Sequence, residues 1–182
     1  MGIEDPEKLL IKIAAILQEL RIAYFVTGGF AVSVWGRPRA TFDIDIVIRL
    51  FEPQLNSLAQ ALQALSEAGY LDYETAKQSI RKGKGSFNFI HSESGLRVDF
   101  FIEDWNELTQ EQFKRRKAKS INRQKIYFIS PEDLILSKLV WHKGSGSSRQ
   151  LEDVESVIKI SGKRLDRKYL IEWARKITVL NT

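Results

Sequence analysis

Apolar positions along the chain recur with two distinct periods. Leu9, Leu10, Ile13, Ala14, Leu17 and Leu20 return every three to four residues, which predicts an amphipathic helix over residues 6–20 with Pro6 near its first turn. Leu55, Leu58, Ala59, Leu62 and Leu65 repeat that spacing and predict a second helix over 55–68, stopped by Gly69. Ser130-Pro131-Glu132-Asp133 opens another, with a serine cap, proline at the first helical position and an acid at the third. Two more helices are expected at about 149–160 and 166–177. Elsewhere the period shortens to two. Ala23–Thr27, the isoleucine-rich stretch from Asp43 and Lys125–Ile129 read as strands. Ser86–His91 and Leu96–Ile102, joined by Ser92-Glu93-Ser94-Gly95, read as a hairpin.

Strands and helices in this order predict an α/β (α+β) fold, a mixed β-sheet flanked by helices, with a helical C-terminal tail. Residues 1–130 are expected to form the core and 131–182 a helical segment packed on it, one compact domain overall. A chain of 182 residues is long enough for one real core and short for two. Its 43% hydrophobic and 28% charged residues are those of a globular protein, and no run approaches the ~18 apolar residues of a membrane span. The start Met1-Gly2-Ile3-Glu4-Asp5-Pro6 is acidic, unlike a signal peptide, and Pro6 breaks the myristoylation pattern. With no cysteine there is neither disulfide nor thiolate metal site, which fits a cytoplasmic protein. A net charge of +5 suits nucleic acid or a nucleoside triphosphate equally and decides nothing alone.

Candidate chemistry concentrates in residues 27–48. Asp43 and Asp45 share one face of their strand while Ile44, Ile46 and Ile48 share the other. Two carboxylates about 7 Å apart on one face repel unless a cation joins them, and oxygen ligands suit magnesium or manganese. The plain alternative is a pair of solvated aspartates at a strand entrance. Upstream, Gly28 and Gly29 stand between a strand and a short helix, Phe30–Trp35. Glycine there lets the backbone approach a ligand, and the free N–H groups of the helix start favour an anion. The plain alternative is a tight turn. Together, in this order, an anion site beside two carboxylates is the layout of phosphoryl or nucleotidyl transfer.

Gly28-Gly29, thirteen intervening residues (30–42) and Asp43-Ile44-Asp45-Ile46 resemble the signature of the DNA polymerase β-like nucleotidyltransferases: a hydrophobic residue with Gly-Gly or Gly-Ser, then two acids alternating with hydrophobics. The resemblance implies a third carboxylate on a neighbouring strand, and Asp99 is the candidate. Leu96, Val98, Phe100 and Ile102 fill one face of that strand and leave Asp99 with Arg97 on the other; the alternative for Asp99 is a surface pair with Arg97. Ile135-Leu136-Ser137-Lys138 and Arg149-Gln150-Leu151-Glu152-Asp153 resemble, more narrowly, the later elements of AbiEii-type nucleotidyltransferases, which include toxins of toxin–antitoxin pairs. Gln150 stands where that group usually has Asp. The resemblance implies an enzyme that moves a nucleoside monophosphate from a triphosphate to a hydroxyl and releases pyrophosphate. It also implies Asp43 and Asp45 on two Mg2+ (or Mn2+) ions and Asp99 on the second, nearest the acceptor. Gly28, Gly29 and Lys138 fall to the phosphates, and Asp153 matches the group's activity-linked aspartate. The acceptor is open among tRNA, protein and small molecule, with an antitoxin-like partner implied by the toxin group.

Arg37, Arg39 and Thr41 lie between the glycine turn and the aspartates, each placed either for phosphate or for a structural contact. Arg81–Gly85 and Lys114–Lys119 are basic clusters, read as a solvated loop and a lysine-rich helix end in preference to a nucleic-acid grip. His91 and His142 are isolated, the four tryptophans read as packing residues, and neither a Walker lysine motif nor a serine nucleophile elbow is present. The competing functions are an inert nucleotide-binding module, a toxin-type transferase, and a metal-dependent nuclease, which has no need of the glycine turn.

Overall fold

The computed structural model describes residues 5–180. Residues 1–4, on which the reading of the N-terminus partly rests, lie outside the described residues. The elements run α1 (Pro6–Glu19), β1 (Ala23–Val26), α2 (Gly28–Trp35), β2 (Asp43–Arg49), α3 (Glu52–Leu65), β3 (Tyr70–Leu71) and α4 (Tyr73–Lys82). They continue with β4 (Gly85–His91), β5 (Leu96–Ile102), α5 (Glu107–Arg115), β6 (Lys117–Ile121), β7 (Gln124–Phe128), α6 (Pro131–Ser145), α7 (Ser148–Ser161) and α8 (Arg167–Leu180). The strands form one seven-stranded mixed sheet in the order β3-β4-β5-β2-β1-β7-β6. The β2–β5 and β1–β7 pairs are parallel and the others antiparallel.

Alternation along β1 assigns the helices to faces. The Tyr24 hydroxyl meets Gln18 Nε2 of α1 at 2.8 Å, while the ring of Phe25 meets Phe113 of α5 edge-on at 5.0 Å. α1, α3 and α4 pack together on the first face, over Ile44, Ile46, Ile48, Val98 and Phe100, all fully buried. α5 and the helices packed on α2, namely α6, α7 and through α6 also α8, cover the second. That second face carries Asp43, Asp45 and Asp99.

Five segments differ from the pattern-based expectation. α3 starts at Glu52, not residue 55, because the Gln54 side chain accepts from Phe51 N at 3.1 Å while Gln54 N donates to Phe51 O at 2.9 Å. It ends at Leu65, ahead of Gly69, where Ser66 turns extended. β3, α4 and α5 are additional: α4 and α5 are short and polar, with few apolar positions to show a period. The Lys114–Lys119 cluster is a helix end only in its first part, Lys114 and Arg115 forming the basic last turn of α5. α5 stops at Arg115, and Lys117–Ile121 forms an edge strand on β7, where exposed lysines deter a further strand from pairing.

Candidate active site

The glycine turn and the aspartate strand are locked together by the backbone. Thr27 N donates to Asp45 O at 2.9 Å, which sets the start of α2 against the carboxylates. Gly28 adopts φ +62°, and a Cβ there would stand 1.9 Å from Asp45 Oδ2. Only glycine permits both the left-handed turn and that approach. At Gly29 a Cβ would press on Thr41 Oγ1 at 2.6 Å, and the Thr41 hydroxyl donates to Asp43 O at 3.2 Å. Thr41 therefore shapes the strand entrance.

Register brings the three acids to one row. Asp45 pairs with Asp99 and Asp43 with Arg97 across the parallel β2–β5 ladder. Arg97 lies among them: its Nε donates to Asp99 Oδ2 at 3.0 Å, and its Nη2 is 3.7 Å from Asp43 Oδ1. The Arg97–Asp99 pair weighed from the sequence is thus present, but it is a bridge within the acidic row and not an isolated surface contact. Among the described residues the Asp45 carboxylate has no hydrogen bond or ion pair. Burial, then the neighbouring charges of Asp99 and Asp43, push its pKa up. Asp99 is raised as well, by burial, against the opposing pull of Arg97.

Lys138, Arg39 and Asp153 form a second cluster across the cleft. Asp153, 4% exposed, accepts two parallel bonds from Arg39 Nε and Nη2, each 3.1 Å, and lies 2.9 Å from Lys138 Nζ. Burial alone would raise the Asp153 carboxyl, but the bonds and charges of Arg39 and Lys138 outweigh it and hold the pKa below its ordinary value. In this arrangement Asp153 orients two cations, and of the two Lys138 faces the site: it lines the same cavity as Asp45 and Gly28.

That cavity, about 410 Å³, lies between the second sheet face and α5, α6 and α8. Motif reasoning missed much of its wall, including Phe101, Glu103, Gln112 and Trp141. Gln150, visible in the sequence as a departure from the AbiEii-type pattern, is part of it.

Other singled-out residues have structural places. Trp35 Nε1 donates to Ile129 O at 2.8 Å inside the core. His91 is buried in the hairpin with Nδ1 2.9 Å from Ser94 Oγ, and His142 Nδ1 is 2.9 Å from Ser147 O. In the basic clusters Arg81 pairs with Glu52, Lys84 with Asp104 and Lys114 with Glu111. No helix among the described residues is long and apolar enough to cross a membrane.

Among the described residues no three acidic or histidine side chains stand close enough together to enclose an ion as placed. The donor chemistry nevertheless fits a hard divalent cation: three carboxylates in one row, one of them half-buried and without an ion pair among the described residues, with a guanidinium drawn between the other two.

Residues 12–174 match the family described as nucleotidyl transferase AbiEii toxin, type IV TA system. Among solved structures, the chain is similar to the antibiotic-resistance factor ANT(2'')-Ia in solution, with 16% identity and a TM-score of 0.63 over 96% of this chain and 95% of that one. It is similar to the lincosamide antibiotic adenylyltransferase LnuA in its lincomycin-bound form, with 19% identity and a TM-score of 0.56 over 85% and 97% of the two chains. An antigenic nucleotidyltransferase-like protein from Paracoccidioides brasiliensis aligns at 19% identity and a TM-score of 0.52, over 86% and 76%. These likenesses show the nucleotidyltransferase fold. Comparison with curated protein sequences returns no match.

Proposed function

This chain belongs to the AbiEii nucleotidyl transferase family, and we propose that it transfers a nucleoside monophosphate from a nucleoside triphosphate to an acceptor hydroxyl, releasing pyrophosphate. The observation that carries this reading is Asp45: a half-buried carboxylate with no ion pair or side-chain hydrogen bond among the described residues, in register with Asp99, against a glycine turn that admits no side chain, and facing the same cavity as Lys138. A carboxylate crowded by two further acids at the mouth of a cavity is relieved by a bound cation.

Asp43, Asp45 and Asp99 are the residues that hold Mg2+ or Mn2+ in this reading. A divalent ion there supplies positive charge to the attacking and leaving oxygens of an in-line displacement. The N–H groups at the start of α2 receive the triphosphate, and Gly28 and Gly29 let it come close. Lys138 adds a point charge to the phosphates, held in place by Asp153, which Arg39 grips from its other side. Asp99 faces the acceptor and accepts the hydroxyl proton. Arg97 keeps Asp43 and Asp99 from repelling each other until the ligands arrive.

The family description favours a toxin-type acceptor, tRNA or protein, with an antitoxin as the regulating partner. Incubating the full chain with Mg2+, each labelled triphosphate and a cell extract tests both parts. The expected result is label on a macromolecule together with pyrophosphate, both absent in Asp45→Asn. Label on small molecules alone would remove the toxin-type acceptor. No label and no pyrophosphate with any triphosphate would remove the transferase reading.

A further inference from the structure

Positive charge is unevenly spread along this chain. Residues 114–125 hold seven lysines and arginines and no acid, and residues 159–168 hold five and a single acid, Asp166. The rest of the chain carries 16 basic residues against 22 acids, so these two segments account for the net charge of +5. The fold lays them side by side, fastened to the same two points. Arg115, ahead of β6, stands 3.2 Å from Glu132 with its guanidinium 3.8 Å from the ring centre of Tyr169. Four residues on, Lys119 Nζ lies 4.7 Å from a ring centre of Trp35. On the other segment Ser161 Oγ donates to Trp35 O at 2.6 Å, and Asp166 N donates to Glu132 at 2.8 Å. Lys117 on the first run, and Lys163 and Arg164 in the 3₁₀ turn Gly162–Arg164 on the second, therefore lie between those points. All three are exposed, as are Lys119, Arg167 and Lys168, and none of the six forms an ion pair among the described residues. The Lys114–Lys119 cluster, which its sequence marks as a solvated helix end, is one half of a larger surface.

Resting on the transferase reading above, we propose that this face binds the phosphate backbone of a helical RNA stem and so places the acceptor hydroxyl that the RNA carries. Cations gathered without acids repel one another, and a polyanion laid across them removes that cost. Two features narrow the polyanion. Among the described residues, Ile160 alone of the exposed large apolar side chains belongs to either segment. The apolar and aromatic centre of a protein interface, and the apolar face of a membrane contact, are therefore lacking. The nearby rings are already covered by cations: Trp35 by Lys119, Tyr169 by Arg115, and Tyr127 by Lys125 and Arg116. That leaves none of them free to stack an unpaired base. β6 is the outer strand of the sheet and the 3₁₀ turn is short, so neither projects into a groove to read base edges. Backbone and shape remain, which is how double-helical RNA is bound. Position agrees. Lys117, Phe128 and Val26 stand on one rung, two strand spacings, or about 10 Å, from the strand end that leads into Gly28. A stem gripped there can extend its end to the acidic row while its backbone stays on the cations.

Fluorescence anisotropy of a labelled RNA hairpin with a stem of about 16 base pairs, titrated with the full chain in EDTA and without nucleotide, tests this. Lys117→Gln, Lys163→Gln and Arg164→Gln combined should weaken binding about tenfold or more. The slope of log affinity against log salt should fall by about three, one for each cation removed. The same loss of charge on α1 and α4, through Lys8→Gln, Lys77→Gln and Lys82→Gln, should weaken binding less than about twofold, because those cations lie off the face. Circular dichroism confirms that both variants are folded, and calorimetry should show the native Mg2+–ATP affinity in each. Duplex DNA of the same sequence and an acidic peptide should bind severalfold more weakly than the hairpin. Equal losses in the two variants, or RNA affinity that the first leaves unchanged, overturns the face. DNA or acidic peptide bound as tightly as the hairpin overturns the assignment to RNA. Hairpin binding through the face, by a chain that neither binds Mg2+–triphosphate nor releases pyrophosphate, supports the face and removes the transferase reading alone.

Discussion

Asp133 and Asp45 both sit on the side of the molecule covered by the C-terminal helices, and both are raised in pKa by burial. Asp133 is fully buried at the start of α6, yet it is supplied from every side. Ser130 Oγ donates to it at 2.6 Å and the Tyr169 hydroxyl at 2.7 Å, while Arg115 stands 3.9 Å away and pairs with the adjoining Glu132 at 3.2 Å. The same contacts fasten α5, α6 and α8 together, and Asp166 N adds a bond to Glu132 at 2.8 Å. Asp45 is less deeply buried and has none of this. Its nearest charges are two more acids, a guanidinium turned to those acids, and a lysine committed to Asp153. Burial therefore does not by itself single out Asp45, the acid proposed to act in transfer. Burial without provision does, and the two acids make opposite predictions for the same substitution.

The largest effect expected is on catalysis. Asp45→Asn should lower transfer about a thousandfold or more, several kcal/mol of lost charge stabilisation, with melting temperature unchanged or raised. Asp133→Asn should do the reverse: a loss of about 2–3 kcal/mol of stability, as two hydroxyl donors and a neighbouring guanidinium lose a charged partner, with transfer per folded molecule retained. Assays and thermal melts on the two variants decide. If both lose stability alike, the contrast between them fails.

Asp153→Ala should combine the two behaviours. Leaving Lys138 and Arg39 without their shared acid should cost about 3 kcal/mol and weaken triphosphate binding, because Lys138 is no longer aimed. The pH dependence carries the sign. Asp153 has a depressed folded pKa, so its contribution is present above the unfolded value of about 3.9 and lost as pH falls through the folded one. Asp45 is raised, so its cost is present above its folded pKa and disappears on protonation. Acid titration of stability should therefore show a flatter acid limb in Asp153→Ala and a steeper one in Asp45→Asn.

Gly28→Ala sharpens the comparison from the backbone side. A left-handed alanine costs about 1–2 kcal/mol, and the Cβ also displaces Asp45 Oδ2. Activity should fall far more than this stability loss accounts for; a loss in proportion to unfolding alone would make the turn merely structural. The smallest effect is expected at Arg97, half-exposed and bridging two acids. Arg97→Gln should cost under about 1 kcal/mol in stability and tighten Mn2+ binding severalfold, measured by calorimetry without nucleotide. Unchanged Mn2+ affinity would remove Arg97 as the acids' provisional cation.

Much of this was legible in the sequence where local rules and tertiary demands agree. The alternation around Asp43 and Asp45 matches a strand buried on one face, and the Ser130-Pro131 start of α6 follows from capping alone. Both glycines were legible as a turn, though not the close approach of Gly28 to Asp45, which depends on where β2 lies. α4, α5 and β6 were hidden because their apolar positions are few and they are held by neighbours more than by their own pattern. Arg39, Lys138 and Asp153 stood out singly, but their union spans more than a hundred residues of sequence, and no spacing rule reports it.

The central claim is that the unpaired acidic row awaits a divalent cation and a triphosphate together. Calorimetric titration of ATP into the full chain with Mg2+, and again with EDTA, measures this directly, with Asp45→Asn as the paired control. The account predicts saturable binding with Mg2+ that is lost in EDTA and in the variant. ATP affinity that is the same with and without EDTA, or unaltered by Asp45→Asn, would contradict it.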